Sequence, residues 1–367
     1  MARLGGAGGA GGAGGAGGAG GAGGLGGAVQ AGSLADGFAS PLMLDALLRL
    51  RDGIHSVDDL AGKSPDQPPI DDPGQRERWE HWVRAYPALH ELLTPMHFVP
   101  DAQVSGNRNG RLTLWCGATT VPNGVPSTAW NELVTIDRPA KSVFEAQLRL
   151  VLAWAELREE RLTEVLAQID PHYAFLGAVL GLRADRHPHT MELINLALQL
   201  AVYVEMRFKN ALACWRPVEL SAQVQPMITT PGHGSFPSGH ATQAYVVANI
   251  LTKLMKLMPA NERAVQLQRQ AARIATNRVI AGVHFPLDSA AGRVLGRALA
   301  DYFLARCGAT PASLKVKKRH FVADKFTGEE EFDPHAAISE TGDFELARSE
   351  RLYAMWKDAQ AEFKGRI

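Results

Sequence analysis

The chain has 367 residues, 46% of them hydrophobic, and its 38 basic residues balance 38 acidic ones. That length supports one large or two ordinary domains with a packed core. Zero formal charge argues against a general nucleic-acid or anionic-membrane binder, so any anion site must be a local concentration of cations.

Taken from the start, residues 5–27 are eight Gly-Gly pairs spaced by Ala or Leu, holding 16 of the 37 glycines. Glycine at that density loses much entropy on ordering and has no side chains to bury, so residues 1–33 read as a tail without chemistry. The opening Met-Ala-Arg-Leu lacks the apolar core of a signal peptide. No run of 18 apolar residues occurs, since the longest candidates are broken by Glu145, Glu156, Glu205 or Arg207. These features predict a cytoplasmic protein without a membrane span. Cys116, Cys214 and Cys307 lie far apart without a C-x-x-C pair. They read as three reduced thiols rather than a disulfide framework or a zinc site.

Residues 34–139 read as a helical and loop region. It has a Leu/Met-rich helix from Ala35 to Arg51, a Pro/Asp-rich loop from Ser64 to Pro73, and an amphipathic helix from Gln75 to Leu93. Between Pro100 and Pro126 only Arg111-Leu-Thr-Leu-Trp115 alternates like a strand, as a small hairpin or a long loop.

Residues 140–308 form the predicted helical core. Apolar residues at Phe144, Leu148, Val151, Leu152 and Ala155 mark one face of a helix over Val143–Glu164. A shorter helix from Tyr173 to Leu182 follows, then a turn holding His187 and His189, read as solvated rather than metal-binding. Further helices are predicted over Met191–Cys214, His240–Met258, Asn261–Ala281 and Pro286–Ala305. Residues 309–367 read as a polar extension with one helix, Asp343 to Phe363, a candidate for packing on a neighbouring subunit of a homo-oligomer. The predicted fold class is mainly α, a helical bundle.

Three clusters name the chemistry: Lys209 through Arg216-Pro217, Pro237-Ser-Gly-His240, and Asn277-Arg278 followed by His284 and Asp288. Lys209 and Arg216 are seven apart, two helical turns, so both project from one face. Apolar neighbours surround them, and buried cations need a compensating anion. Ser238 has the place of an N-cap, and Gly239 lets backbone approach a ligand at a helix start that already favours anions. Gly282 is a natural helix stop, and Pro286 a natural first helical residue. Asp288 then falls one turn from His284, where a carboxylate can fix the imidazole tautomer. The set suits a tetrahedral or trigonal oxyanion, phosphate or vanadate.

These residues resemble the three-part signature of the type 2 phosphatidic acid phosphatase and vanadium haloperoxidase superfamily. Every part is in order over about 80 residues, with Asn277 in place of a serine. The resemblance implies an α-helical bundle. It implies that Lys209, Arg216, Arg278, Ser238 and Gly239 bind the oxyanion, that His240 is the acid–base, and that Asp288 orients His284. His284 would then be either the nucleophile toward a phosphate monoester or the ligand of a vanadate cofactor. Three features point to the vanadium-dependent haloperoxidase branch, acting on hydrogen peroxide and halide: the missing spans, Trp215-Arg216-Pro217 with His284-Phe285, and His233. His233 is similar in place to a histidine of bromide-oxidising members, and reads equally as a loop residue between two glycines. The alternative is a soluble acid phosphatase, since those enzymes share all three clusters. A non-catalytic phosphate binder is disfavoured because it would not need both histidines.

Overall fold

The computed structural model describes residues 45–46, 49–50, 66–70, 72, 74, 78–101, 110–120, 127–170, 172–310, 315–327 and 337–364. The glycine-rich segment lies outside the described residues, as do most of Ala35–Arg51 and part of Ser64–Pro73.

After the short described stretches between 45 and 80 come α1 (His81–Leu93), β1 (Met96–Asp101), β2 (Arg111–Thr120) and β3 (Ser127–Asp137). The helical segment follows: α2 (Lys141–Trp154), α3 (Arg158–Ala167), α4 (Ala174–Leu180), α5 (Pro188–Leu212), the short α6 (Pro217–Leu220), α7 (Gly239–Leu254), α8 (Glu262–Ile280) and α9 (Pro286–Arg306). Then come β4 (Lys315–Phe321), β5 (Ile338–Glu345) and α10 (Glu350–Ala361).

The predicted all-helical bundle is therefore corrected. The five strands form one mixed sheet in the order β1-β2-β3-β4-β5. Its pairs are antiparallel except β3 with β4, which run parallel. Parallel neighbours need a crossover, and here α2 to α9 make that connection. The sheet thus joins strands from both sides of the helical segment.

Two bulges hid the strands. β2 and β3 shift register between Leu114 and Trp115, and β4 and β5 shift between Lys317 and Lys318. In β4 the buried residues are Val316 and Phe321, five apart, which strict alternation would send to opposite faces. β5 buries only Phe344, as a polar edge strand can.

Other expectations are refined. The helix expected over Val143–Glu164 is broken by a 3₁₀ turn at Ala155–Leu157. His187 is buried, stacked on Phe363 at 5.2 Å, so its turn is not simply solvated. The C-terminal helix starts later than expected, at Glu350, because residues before it form β5. It packs on α5 of its own chain, where the Glu362 carboxylate accepts the backbone N–H of His189 at 2.7 Å and of Thr190 at 3.0 Å. A carboxylate there satisfies orphan amides and complements the helix dipole.

The centre of the molecule is α7, which buries 13 of its 16 residues and so has no solvent face to absorb misfit. It lies directly against α9 through Gly292 and Gly296. A Cβ on Gly292 would fall 2.6 Å from the Ser238 carbonyl oxygen, and one on Gly296 would fall 2.5 Å from that of Thr242. Only hydrogen fits at these contacts, and they set how far the start of α7 stands from the first turn of α9. Beneath that junction the Phe144 ring lies 4.9 Å from Phe285 and 6.3 Å from Phe236, which in turn lies 6.3 Å from Phe321 of β4. These separations are those of stabilising aromatic pairs, so the sheet buttresses the loops on either side of the junction.

Gly292→Ala should destabilise the fold by about 1–3 kcal/mol through overpacking against backbone. Gly232→Ala, where a Cβ meets nothing within 4 Å, should change stability by no more than about 0.5 kcal/mol. Urea unfolding of both variants checks this, and equal stabilities would contradict the close-contact account.

Candidate active site

The three clusters arrive from helix ends and loops. Lys209 stands in the last turn of α5. The chain then leaves the helix at Ala213, whose φ of 48° is left-handed, and Arg216 is an extended residue capping α6. The expectation that Lys209 and Arg216 share a helical face is thus corrected. They converge through the loop before α7 instead. Lys209 Nζ donates to the carbonyls of Gly234 and Ser235, both at 3.1 Å, and Arg216 Nη2 reaches the Gly234 carbonyl at 3.4 Å.

Arg216 ties that loop to the one before α9. Its Nε donates to the His233 carbonyl at 3.1 Å and its Nη1 to the Val283 carbonyl at 2.6 Å. Nη1 also lies 3.2 Å from His284 Nε2, and Nη2 lies 3.2 Å from His233 Nδ1. Asp288 sits in the first turn of α9, where its Oδ2 accepts from His284 Nδ1 and from the backbone N–H of Phe285, each at 2.9 Å. The Ser235 hydroxyl donates to the same oxygen. A carboxylate acceptor puts the His284 hydrogen on Nδ1 and leaves Nε2 with its lone pair toward Arg216. Behind it the Ser238 amide donates to the Asp288 carbonyl at 2.9 Å. That bond fastens the start of α7 to the start of α9.

Ser238 caps α7, its hydroxyl accepting from Ala241 N at 3.5 Å, and Gly239 and His240 open the helix. His240 Nε2 lies 3.0 Å from the Gln168 carbonyl, which can only accept, so Nε2 carries the hydrogen and Nδ1 is the basic nitrogen. Arg278, near the end of α8, donates through Nη2 to the Val165 carbonyl at 2.8 Å, while its Nε is buried without a partner among the described residues. Gly282 follows with φ 79°, the left-handed turn that releases the chain toward His284. Asn277 donates to the Gln168 side chain at 2.8 Å, so it braces the C-terminal end of α3.

The structure therefore brings together Lys209, Arg216, Ser238, Gly239, His240, Arg278, His284 and Asp288, with His233 at the Arg216 edge. An open cavity of about 530 Å³ reaches Arg216, His233 and Gly234 past the exposed Trp215. Among the described residues no cluster of three or more His, Cys, Asp or Glu suits a metal ion.

The segment from Glu192 to Cys307 also has relatives. Residues 192–307 match the family model of the PAP2 superfamily. No curated protein matches the chain. One similar solved structure is described as the first transmembrane PAP2 type phosphatidylglycerolphosphate phosphatase from Bacillus subtilis. It shares 21% identity over 44% of this chain and 84% of that chain, with a TM-score of 0.36, a likeness too loose to carry a conclusion. No helix among the described residues is long and apolar enough to cross a membrane. The PAP2 segment contains all three clusters but neither the sheet nor the α3–α4 turn.

Several site residues escaped the sequence reading. Ser235 and Gln168 hold Asp288 and His240 through the contacts above. Glu205 lies one helical turn before Lys209, and that spacing in an otherwise apolar helix was a legible signal. Its carboxyl accepts from Gln243 at 2.9 Å, lies against Gly239, and leaves Oε2 buried without a partner among the described residues. Gln168 and His172 come from a distant turn with no local signature.

Burial governs the charges. It lowers Lys209 from the ordinary lysine value, with Arg216 adding to the effect. Burial raises the Glu205 carboxyl against the pull of Lys209. His284 is pushed well below the ordinary imidazole value by burial, then by Arg216 and Lys209. His240 is pushed down by burial, then by Arg278 and His172. Both imidazoles are neutral, with a lone pair available. Burial also brings Arg216 and Arg278 to about 10, still cationic at neutral pH.

The sign for anion binding follows. Lys209 is lowered from the ordinary lysine value, so as pH rises through its lowered value the ammonium charge is lost. Affinity for sulfate, whose own charge does not change from neutral to alkaline pH, should fall by up to about tenfold per pH unit once that lowered value is passed. Titration calorimetry reads it, and Lys209→Met should bind more weakly with a shallower pH dependence, the part that proton uptake by His240 leaves. A pH-independent affinity in the unmodified protein would contradict the placement of Lys209.

Proposed function

We propose that the chain hydrolyses phosphate monoesters, with His284 as nucleophile and His240 as the proton donor to the leaving oxygen. One observation carries the reading. A buried imidazole has its Nδ1 held by a buried carboxylate at 2.9 Å and its Nε2 lone pair 3.2 Å from a guanidinium, beside two further cations. The PAP2 match over residues 192–307 supports it.

In this reading the phosphoryl oxygens bind Lys209, Arg216 and Arg278, with the Ser238 hydroxyl and the Gly239 amide completing the cradle. Developing charge then meets donors already in place. The His284 Nε2 lone pair forms a bond to phosphorus as the bond to the ester oxygen breaks, and that oxygen takes its proton from His240. Binding a dianion beside His240 favours the protonated imidazole this step requires. Water then attacks the phosphohistidine and gives a proton to His240, releasing phosphate and restoring the Nε2 lone pair. Asp288 stays hydrogen-bonded to Nδ1 throughout and stabilises the charge that develops on the ring.

The position of His233 favours a second reading, that of the haloperoxidase. Vanadate has the same tetrahedral donor requirements as phosphate, and Lys209, Arg216, Arg278, Ser238 and Gly239 would hold it with His284 Nε2 as ligand. Bound there, it would supply oxidation of halide by hydrogen peroxide. His233, neutral because burial and Lys209 bring it to about 4, lies at the Arg216 edge where a halide would approach.

Kinetics separate these readings. His284→Ala should abolish hydrolysis of aryl and alkyl phosphates alike. His240→Ala should lower kcat/KM for alkyl esters by about 10²–10⁴-fold and largely spare kcat/KM for esters of acidic phenols, whose leaving oxygen needs no proton, while lowering kcat for both because water attack loses its base. Full turnover in His284→Ala would sink the assignment. Peroxide-dependent bromination that requires orthovanadate and drops in His233→Ala, without phosphate ester turnover, would establish the second reading instead.

A further inference from the structure

His172 lies in the turn between α3 and α4, outside the PAP2 segment and outside all three sequence clusters. It is 2% exposed, and neither ring nitrogen has a hydrogen-bond partner among the described residues. Its ring centroid is 4.9 Å from that of His240, tilted by 42°. Burial and the nearby Arg278 hold it neutral, with one N–H to donate and one lone pair.

The rest of this segment is accounted for. The Val165 carbonyl receives Arg278, the Gln168 carbonyl receives His240, and the Gln168 side chain receives Asn277. Among the described residues of this segment, His172 is the group beside the acid–base whose polar atoms face no protein partner. Buried donors are seldom left so, because an aromatic hydrocarbon would fill the same space without the desolvation penalty. An imidazole kept there asks for a ligand atom.

Resting on the phosphatase reading, we propose that His172 binds the leaving group of the ester and sets which alcohols are accepted. The contact is a ring N–H donated to an acceptor oxygen on the leaving group, just beyond the ester oxygen that His240 protonates. The ligand class is a phosphate monoester of a hydroxylated alcohol rather than of a plain aryl or alkyl group. His172 takes no part in proton transfer or bond formation, so it is a specificity-determining residue.

The test compares the unmodified protein with His172→Phe and His172→Gln. Three readouts serve: kcat/KM on phenyl phosphate and on glycerol phosphate, inhibition by inorganic phosphate, and the thermal midpoint without ligand. His172→Phe should lower kcat/KM on glycerol phosphate by about tenfold and leave phenyl phosphate and phosphate inhibition unchanged. Its thermal midpoint should rise, because an unsatisfied buried donor has gone. His172→Gln, which keeps an N–H donor, should recover part of the glycerol phosphate activity and serves if the Phe variant does not fold. Equal loss on both esters, weaker phosphate inhibition, or no loss on either would overturn the proposal while leaving the phosphatase reading intact. A wild-type chain inactive on both esters would overturn both.

Discussion

Lys209, Arg216 and Arg278 are each no more than 2% exposed, yet among the described residues no carboxylate accepts from the charged group of any of them, the Glu219 carboxylate taking only the backbone N–H of Arg216. Burying cations in this way is unfavourable unless carbonyls, neighbouring carboxyls or a bound anion compensate. Here backbone carbonyls do much of it: Gly234 and Ser235 for Lys209, His233 and Val283 for Arg216, Val165 for Arg278. Each of those carbonyls belongs to a loop or helix end, so the cations organise the loops as much as the loops hold the cations. Among the described residues the Nε of Arg278 has no partner, which is the place a bound anion would fill in the proposed reading. Holding the charges apart from water in this way keeps them aimed when a reaction develops new charge.

The surrounding fold keeps this arrangement rigid. α7 and α9 touch backbone to backbone at Gly292 and Gly296, and the Ser238 amide bonds the Asp288 carbonyl. The cradle and the His284–Asp288 pair therefore move as one body. From below, Phe321 of the sheet supports Phe236, and Phe144 supports both Phe236 and Phe285. Gln147 adds a bond to the amide of Leu287 at 3.0 Å, at the start of α9. The sheet contributes no cluster residue, and its part in the account is mechanical.

How much of this the sequence could tell depended on how local each signal was. Helices α5, α7, α8 and α9 were legible because their apolar periodicity runs over many turns and Asn261, Ser238 and Pro286 punctuate their starts. The His284–Asp288 contact was legible from one helical turn of spacing. Lys209 and Arg216 were rightly grouped for the wrong reason, since the left-handed Ala213 breaks the helix between them. The sheet was not legible: its β3–β4 pairing joins residues nearly two hundred positions apart, and both bulges destroy the alternation that marks a strand. Gln168 and His172 reach His240 only through tertiary folding, and nothing near them in the chain announces it.

The central claim is that His284 Nε2 is the atom that takes the phosphoryl group. The most direct measurement mixes the protein with a fast-reacting aryl phosphate, quenches within the first turnover under conditions that preserve phosphohistidine, and locates the modification by mass spectrometry. The account predicts a phosphoryl group on His284, absent from His284→Ala and lengthened in lifetime in His240→Ala, which lacks the base for water attack. Hydrolysis with no covalent intermediate, or with the phosphoryl group on another residue, would contradict it.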